Sequence, residues 1–290
     1  MSTKATKILM TVISIALICC VVFLLIFKLN VNNNYKINNS IIDSVIDEKN
    51  ANEVDWDKLK KKNNDIVGWL SINNTTINTP IVQSSDNSFY LKKNINKEYS
   101  FSGTPFMDYR NSNDLTDNNT IIYGHNMRDY QLFGELLTLY KDSSSASNNK
   151  FIKLNTPNGT HKYVIVGAFY TNSNPSDDNG YVFEYNIPNL DEGNFSDFLA
   201  QLKQRYIFTS GIEVNNTDKI ITLSTCAYQF RDERFVVIAR ELRENESENT
   251  FKFNFKKNEN PRYPDKWYKI NHKNNLYENM QKWSLDEENN

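Results

Sequence analysis

The sequence predicts a mainly β fold, a barrel or a sandwich with helical additions, behind an N-terminal transmembrane helix. Short apolar runs broken by turn residues recur from residue 69 onwards, and no long alternation of strands and helices appears. Near the N-terminus, residues 8–27 form an uncharged apolar run. Many short strands with a few helices on their connections are typical of β-barrels and sandwiches, whereas a doubly wound sheet needs regular strand–helix alternation.

The composition is that of a chain able to bury a sizeable core. Its 290 residues include 16 Tyr, 17 Phe and 4 Trp, and the formal net charge is −2. A nearly neutral chain without a basic cluster interleaved with aromatic residues gives no reason to expect binding to nucleic acid.

The apolar run at 8–27 predicts a membrane anchor. As an α-helix it spans roughly 30 Å, the thickness of the hydrocarbon core of a bilayer. A cleaved signal peptide is the alternative, but its apolar region is usually shorter and is followed by a small-residue cleavage site. Here FKLNVNNN follows, at 27–34. We therefore expect an uncleaved single span, with residues 1–7 as a short cytoplasmic N-terminus. Lysines flank both ends of the run, so the positive-inside bias that sets orientation is slight.

The first half of the soluble part combines a helix with short strands. Residues 28–50 are polar and predict a stalk, and residues 51–243 predict the main domain. NEVDWDKLKKKNNDIVGWL, at 52–70, predicts a helix that ends before Gly68. After it we expect strands at WLSI, INTPIV and FYL, the last at 89–91.

The second half continues the pattern. A strand is predicted at TIIY, 120–123, followed by a short amphipathic helix that carries Leu132, Leu136 and Leu139. FIKL and KYVIVGAFY, at 151–154 and 162–170, predict a hairpin. A helix capped by Asn194 comes next. Strands at 219–226 and 234–240 complete the domain.

The last segment, residues 244–290, is charged and rich in Asn. Its main apolar residues are Trp267, Tyr268 and Trp283. Such a composition predicts a solvated tail or a loosely docked extension.

Cys226 is the candidate nucleophile. Cys19 and Cys20 lie inside the apolar run, so Cys226 has no disulfide partner in the soluble part, and no CxxC pair is present to build a zinc site. In ITLSTC the strand alternation puts Cys226 on the more polar face, together with Thr222 and Ser224. A lone cysteine is nevertheless more often a small buried hydrophobe. These residues alone leave both interpretations open.

A nucleophilic thiol needs a nearby base or cation. His161 lies in a predicted turn and His272 in the polar tail, so His125, directly after the apolar strand TIIY, is the remaining good partner. A satisfied structural histidine is the alternative. An antiparallel return from the Cys226 strand would set Arg234 beside Cys226, where a guanidinium stabilises an oxyanion.

Two other arginines are weaker candidates for that role. Arg231 falls in the predicted connecting loop, and Arg240 lies far along the strand.

Several motifs in order resemble the sortase family, class B in particular. These are DIVGWL, TPIVQ, FYL, IIYGHNM, LFGEL and TLSTC with an arginine eight residues later, and the resemblance covers roughly residues 50–243. It implies a closed β-barrel transpeptidase on the outer face of a Gram-positive cell, with Cys226 as nucleophile, His125 as acid and base, and Arg234 as oxyanion donor. The segment after residue 243 departs from the family pattern.

The resemblance implies thioester chemistry without a cofactor or metal. The substrates would be surface proteins bearing a C-terminal sorting signal, and the acceptor an amine of a peptidoglycan precursor or of a pilin lysine. Ser224 shares the face of Cys226 and is a candidate substrate contact, a structural hydroxyl being the alternative. Two rival functions remain, a secreted cysteine protease of papain type and a membrane-anchored binding module without activity.

Overall fold

The polypeptide begins with one long helix. A computed structural model describes residues 3–45, 54–127 and 129–285. Helix α1 (Thr3–Val45) contains the apolar run, whose side chains are exposed. Its length and composition suit a membrane span. It continues through the residues predicted as a stalk as far as Val45, and residues 46–50 of that prediction lie outside the described ranges.

Eight strands close into a barrel, as the sequence predicts. In ring order they are β6 (Gly159–Asn172), β5 (Phe151–Thr156), β1 (Ile66–Ser71), β2 (Asn78–Val82), β3 (Phe106–Met107), β4 (Asn119–Tyr123), β8 (Ile220–Cys226) and β9 (Glu233–Glu241). The pairing of β6 with β9 closes the ring. The pairs β2–β3 and β4–β8 are parallel, and the others are antiparallel. Two short strands, β7 (Phe208–Thr209) and β10 (Lys256–Lys257), extend the sheet from β6.

The described residues contain five further α-helices, which lie on the connections and in the C-terminal segment. They are α2 (Trp56–Lys62), α3 (Leu136–Tyr140), α4 (Ser143–Ala146), α5 (Glu192–Arg205) and α6 (Asp265–Ile270). The longest of them, α5, buries its apolar face against the outside of the barrel, and each of those side chains contributes roughly 1.5–3 kcal/mol through burial.

Three apolar clusters hold these parts together. The barrel interior is filled by branched and aromatic side chains such as Leu70, Ile122 and Phe235. A second cluster joins α5 to the outer face of β6, β8 and β9. A third joins Ile41 of α1 and Leu59 of α2 to Trp69 on β1. The polar half of α1 therefore packs on the barrel.

The C-terminal segment is docked, which excludes the solvated tail and favours the docked extension, the other of the two predicted alternatives. β10 pairs with β7, and Tyr268 on α6 is buried. The ring of Trp283 lies 5.9 Å from those of Phe183 and Phe198, so it covers the second cluster. The sequence pattern did not reveal this because the apolar contacts are spaced irregularly along a polar segment.

Two local predictions are also wrong. FYL forms a 3₁₀ turn, Phe89–Lys92, rather than a strand. Helix α5 is capped by Asp191, whose Oδ1 accepts from the Asn194 amide at 2.9 Å, so Asn194 lies inside the first turn. Asp and Asn are both favourable N-cap residues, and here the N-cap is Asp191, which directly precedes the first helical turn.

Candidate active site

The end of β8 brings Cys226 and Arg234 together. In the antiparallel pair β8–β9 their backbones are direct register partners, and both side chains are half-buried. The predicted antiparallel return is therefore confirmed. Cys226 closes a strand whose preceding residues are all buried, so it is the first residue of β8 with appreciable exposure.

The parallel neighbour of β8 supplies His125. Tyr123 on β4 pairs with Ser224 on β8, and the Gly124 amide donates to the Ser224 carbonyl at 3.1 Å. His125 and Cys226 each come two residues further along the chain from this pair. A side chain at Gly124 would collide with the Phe133 ring, since a Cβ there would lie 2.6 Å from it. Glycine at this position lets the loop that carries His125 pass close to that ring.

Side-chain hydrogen bonds fix these two strand ends. Asn126 Nδ2 donates to the Cys226 carbonyl at 2.7 Å, and Thr225 Oγ1 donates to the Gly124 carbonyl at 2.7 Å. Tyr228 Oη donates to the Asn126 carbonyl at 2.7 Å. The residues on both sides of His125 are thus tied to the residues around Cys226.

The imidazole of His125 is oriented by a backbone carbonyl. Its Nε2 lies 2.8 Å from the Leu91 carbonyl oxygen. Because that oxygen only accepts, Nε2 carries a proton, and Nδ1 is left to exchange the other one. A direct hydrogen bond between His125 and Cys226 is not among the contacts of the described residues.

A cleft of about 240 Å³ unites these groups. It is lined by His125, Cys226, Arg234 and Ser224 together with Asn87, Leu91, Phe106 and Tyr123. Charged, polar and apolar surface meet there, as in sites that orient a peptide.

Ser224 has a hydroxyl partner within the protein. Its Oγ lies 2.8 Å from Oη of Tyr185, and both side chains are buried. Burial raises the pKa of Tyr185, so its hydroxyl stays neutral. Tyr185 covers the face of β8 next to Cys226. Sequence reasoning missed it because it lies in an irregular segment with no periodicity.

A second polar network supports the opposite wall. Asp108 accepts from Asn87, Tyr123 and Arg110 at 2.9–3.0 Å. Burial by itself would raise the pKa of Asp108, but the hydrogen bonds from Arg110 outweigh it and the pKa is lowered. The carboxylate therefore stays charged and holds two residues of the cleft. Nothing in the sequence singled out Asn87 or Asp108, because they lie about 20 residues apart in loops.

The remaining candidates lie elsewhere. Arg231 is 93% exposed, and within the described residues its one ion pair is with Asp232. Arg240 pairs with Ile220 at the far end of β9, where Glu246 binds its guanidinium at 2.7 and 2.9 Å. His161 is bonded to Glu241 at 2.6 Å.

His272 is exposed, which agrees with the prediction that it is solvated. In the described parts of the chain, no three His, Cys, Asp or Glu side chains are grouped as metal ligands.

Comparisons with known proteins agree with this geometry. A family model described as the Sortase domain matches residues 70–242. Sortase B of Listeria monocytogenes is 38% identical over 168 residues, which are 58% of this chain and 65% of the relative. The chain therefore spans about two thirds of the length of that curated relative.

Solved structures give the same result. The X-ray structure of Clostridium perfringens sortase B matches with a TM-score of 0.59 and 31% identity, over 65% of this chain and all of the other. A Staphylococcus aureus sortase B–substrate complex matches with a TM-score of 0.58 and 30% identity, over 65% of this chain and 85% of the other.

Proposed function

This chain belongs to the sortase family, to its class B, and on that premise we propose that it is a membrane-anchored cysteine transpeptidase acting on the sorting signals of secreted proteins. The observation that carries the proposal is the pairing of Cys226 with Arg234 in the cleft that also holds His125. A thiol, a proton-transfer group and a planar cation are the groups that acyl transfer from an amide requires.

The first half-reaction would form a thioester. The Cys226 thiolate attacks the carbonyl carbon of the Thr in a sorting pentapeptide, and Arg234 stabilises the resulting oxyanion. When the C–N bond breaks, His125 gives a proton to the leaving amine. The acyl part of the secreted protein is then bound to Cys226 through a new C–S bond.

The second half-reaction would transfer the acyl group to an amine. His125, now the base, takes a proton from the attacking amine, and the thiolate leaves as the amide forms. Attack by an amine in place of water retains an amide bond, so the net reaction is transpeptidation. The chemistry uses side chains alone and needs no cofactor.

The partners follow from the same scheme. The donor would be a surface protein with a C-terminal sorting signal, and the acceptor an amine of a peptidoglycan precursor or a pilin lysine. Binding of a substrate by the related Staphylococcus aureus enzyme supports a peptide in the corresponding cleft. The bond of Ser224 to Tyr185 favours a supporting role for Ser224, with its hydroxyl shaping the cleft wall beside Cys226.

We place the enzyme at the cell membrane, with residues 8–27 as the single span and the barrel outside the cell. The exposed apolar surface of α1 supports the anchor. The two rival functions are less favoured. A papain-type protease would have a different fold, and a binding module without activity would have no use for a paired thiol and guanidinium.

Four variants of the full chain in detergent micelles would test the roles, with kcat and KM measured on one cleavable sorting peptide. Cys226→Ala should abolish cleavage and leave the thermal transition nearly unchanged. Arg234→Ala should lower the rate by roughly 10²–10³, the usual loss for one oxyanion donor. Arg234→Lys should recover little, because an ammonium lacks the planar fork.

Arg231→Ala is the matched control and should change the rate by less than about twofold, since exposed charges interact weakly. Cleavage by Cys226→Ala, or a loss at Arg231 as large as that at Arg234, would refute the assignment.

A further inference from the structure

The aromatic loop, residues 97–101, packs beside the end of the apolar run. The ring of Phe101 lies 5.0 Å from that of Phe27 and 6.1 Å from that of Phe23 on α1. Tyr99 is 50% exposed and its ring contacts Phe101 at 5.2 Å. The half-buried Phe101 ring touches the last turn of the apolar run, and the exposed Tyr99 ring beside it extends that apolar surface.

The length of the apolar run determines how deep the aromatic loop would lie in a bilayer. Residues 8–27 are only just long enough to cross the hydrocarbon core, roughly 30 Å, so a bilayer that covers the run also covers Phe23 and Phe27. Phe23 lies about 6 Å deeper than Phe27, one helical turn. Since Phe101 contacts both, its ring would lie at the boundary between acyl chains and headgroups, where aromatic residues are enriched.

Polar contacts hold the loop at this position. The side chain of Asn30 on α1 donates to the Tyr99 carbonyl at 3.2 Å and accepts from the Phe101 amide at 2.9 Å. One turn further, the buried Asn34 donates to Ser102 Oγ at 2.7 Å. The loop therefore moves with α1.

Hydrogen bonds within the protein also satisfy the backbone of this loop. Unpaired backbone N–H and C=O groups are the main energetic cost of placing a loop near lipid. The Ser100 amide donates to the Lys92 carbonyl at 3.0 Å, and Ser100 Oγ accepts from the amides of Ser102 and Gly103 at 3.2 Å. With the two bonds of Asn30, these polar groups find partners inside the protein.

We propose that the aromatic loop is a membrane-contact element that inserts Tyr99 and Phe101 into the interfacial layer of the bilayer and so holds the Cys226 cleft at the membrane surface. The inference rests on the proposed function in one respect, that α1 spans a membrane. The partner is the lipid layer itself.

The loop is connected to the cleft by a short stretch of chain. Leu91 lines the cleft and its carbonyl binds His125, and two residues later Lys93 forms a β-bridge with Tyr99. This bridge links the aromatic loop directly to the segment that forms one wall of the cleft. A substrate retained in the membrane would thus present its signal close to the thiol.

The test uses the full chain in phosphatidylcholine vesicles, with and without lipids brominated on the acyl chains near the headgroup. The Phe101→Trp variant should show more tryptophan fluorescence than the wild-type chain, and we expect brominated lipid to quench this additional fluorescence. Leu276→Trp is the control, because Leu276 is another exposed apolar residue, in the C-terminal segment. Equal quenching at both positions, or none at position 101, would overturn the proposal.

A second readout measures the consequence for activity. The double variant Tyr99→Ser, Phe101→Ser should cleave a free sorting peptide as the wild type does. It should cleave the same peptide tethered to the vesicles about tenfold less efficiently, because α1 still anchors the chain but the cleft is no longer held where the tethered peptide is concentrated. Leu276→Ser should match the wild type on both substrates. An equal loss on free and tethered peptide would contradict the proposal.

Failure of the anchor is distinguishable from failure of the loop. A full chain that does not cosediment with vesicles refutes the membrane span. A chain that cosediments but shows no quenching at position 101 refutes the aromatic loop as a contact element and leaves the span intact.

Discussion

At the scale of single residues, the candidate site depends on the register between neighbouring strands, β8 with β9 and β8 with β4. Cys226 and Arg234 meet because the strands that carry them are paired, and His125 joins them because Gly124 and Asn126 are bonded to the neighbouring strand end. The residue before Arg234 has a further property. Glu233 is fully buried, and its Oε2 accepts from the Gln229 amide at 2.9 Å, whereas its Oε1 has no hydrogen-bond partner among the residues that the structure describes.

Glu233 should make stability depend on pH. Burial raises its pKa from the ordinary 4.5 to about 7, an effect that the Gln229 amide only partly offsets. Between these values the folded chain holds a proton that the unfolded chain has released. The free energy of unfolding therefore falls as pH rises through this window and is constant above it.

Glu233→Gln should remove this contribution, roughly 3 kcal/mol between pH 4.5 and 8. The measurement is urea unfolding at several pH values for both proteins, with Glu244→Gln, at an exposed position, as the control. Parallel curves for wild type and Glu233→Gln would show that the carboxyl does not titrate in this window.

At the scale of elements, the C-terminal segment supports the loop between β8 and β9. Asn271, after α6, donates to Gln229 Oε1 at 3.2 Å, and Lys266 on α6 lies over the Phe230 ring at 5.3 Å. Lys266 also pairs with the buried Asp177 at 2.7 Å. The segment thus contacts both the β8–β9 loop and the loop after β6.

This docking predicts a clear difference between two residues of α6. Tyr268 is 6% exposed and its hydroxyl donates to the Pro261 carbonyl at 3.0 Å, whereas Ile270 is 44% exposed. Tyr268→Ala should lower the free energy of unfolding by about 2–4 kcal/mol, and Ile270→Ala by less than about 1 kcal/mol. Thermal and urea unfolding would measure both. Equal, small effects would mean that the segment contributes little to the stability of the barrel.

At the scale of the whole molecule, α1 is both the predicted anchor and part of the folded domain. Val31, Asn34 and Ile41 are buried against the barrel, while the apolar run is exposed apart from its contact with Phe101. The helix therefore fixes how the barrel stands relative to the span, in place of the loose tether that a polar stalk suggests.

Two truncations separate these functions. A chain lacking residues 1–27 should be soluble and active, with a Tm near that of the full chain in detergent. A chain lacking residues 1–45 should melt at least about 5 °C lower than the first truncation, because it loses the packing of Val31 and Ile41. Differential scanning calorimetry of both would check this. Equal Tm values would mean that the docked half of α1 adds no stability.

The sequence by itself determined most of the barrel strands, the apolar run and the order along the chain of His125, Cys226 and Arg234, because these depend on local patterns. Alternation in ITLSTC placed Cys226 on the polar face, and the return of RFVVIA set Arg234 opposite it. The hairpin at 151–170 was predicted on the same basis. These features involve neighbours in the chain or one turn, so periodicity and turn residues are sufficient to specify them.

Only the tertiary structure decided the rest, because the contacts join segments far apart in the chain. Tyr185 reaches Ser224, and Asn30 binds the backbone of residues 99 and 101, through irregular segments that carry no periodic signal. The C-terminal segment docks through a few aromatic residues whose burial depends on grooves formed elsewhere in the fold. Such contacts depend on the complementary shape of two surfaces, which local propensity does not encode.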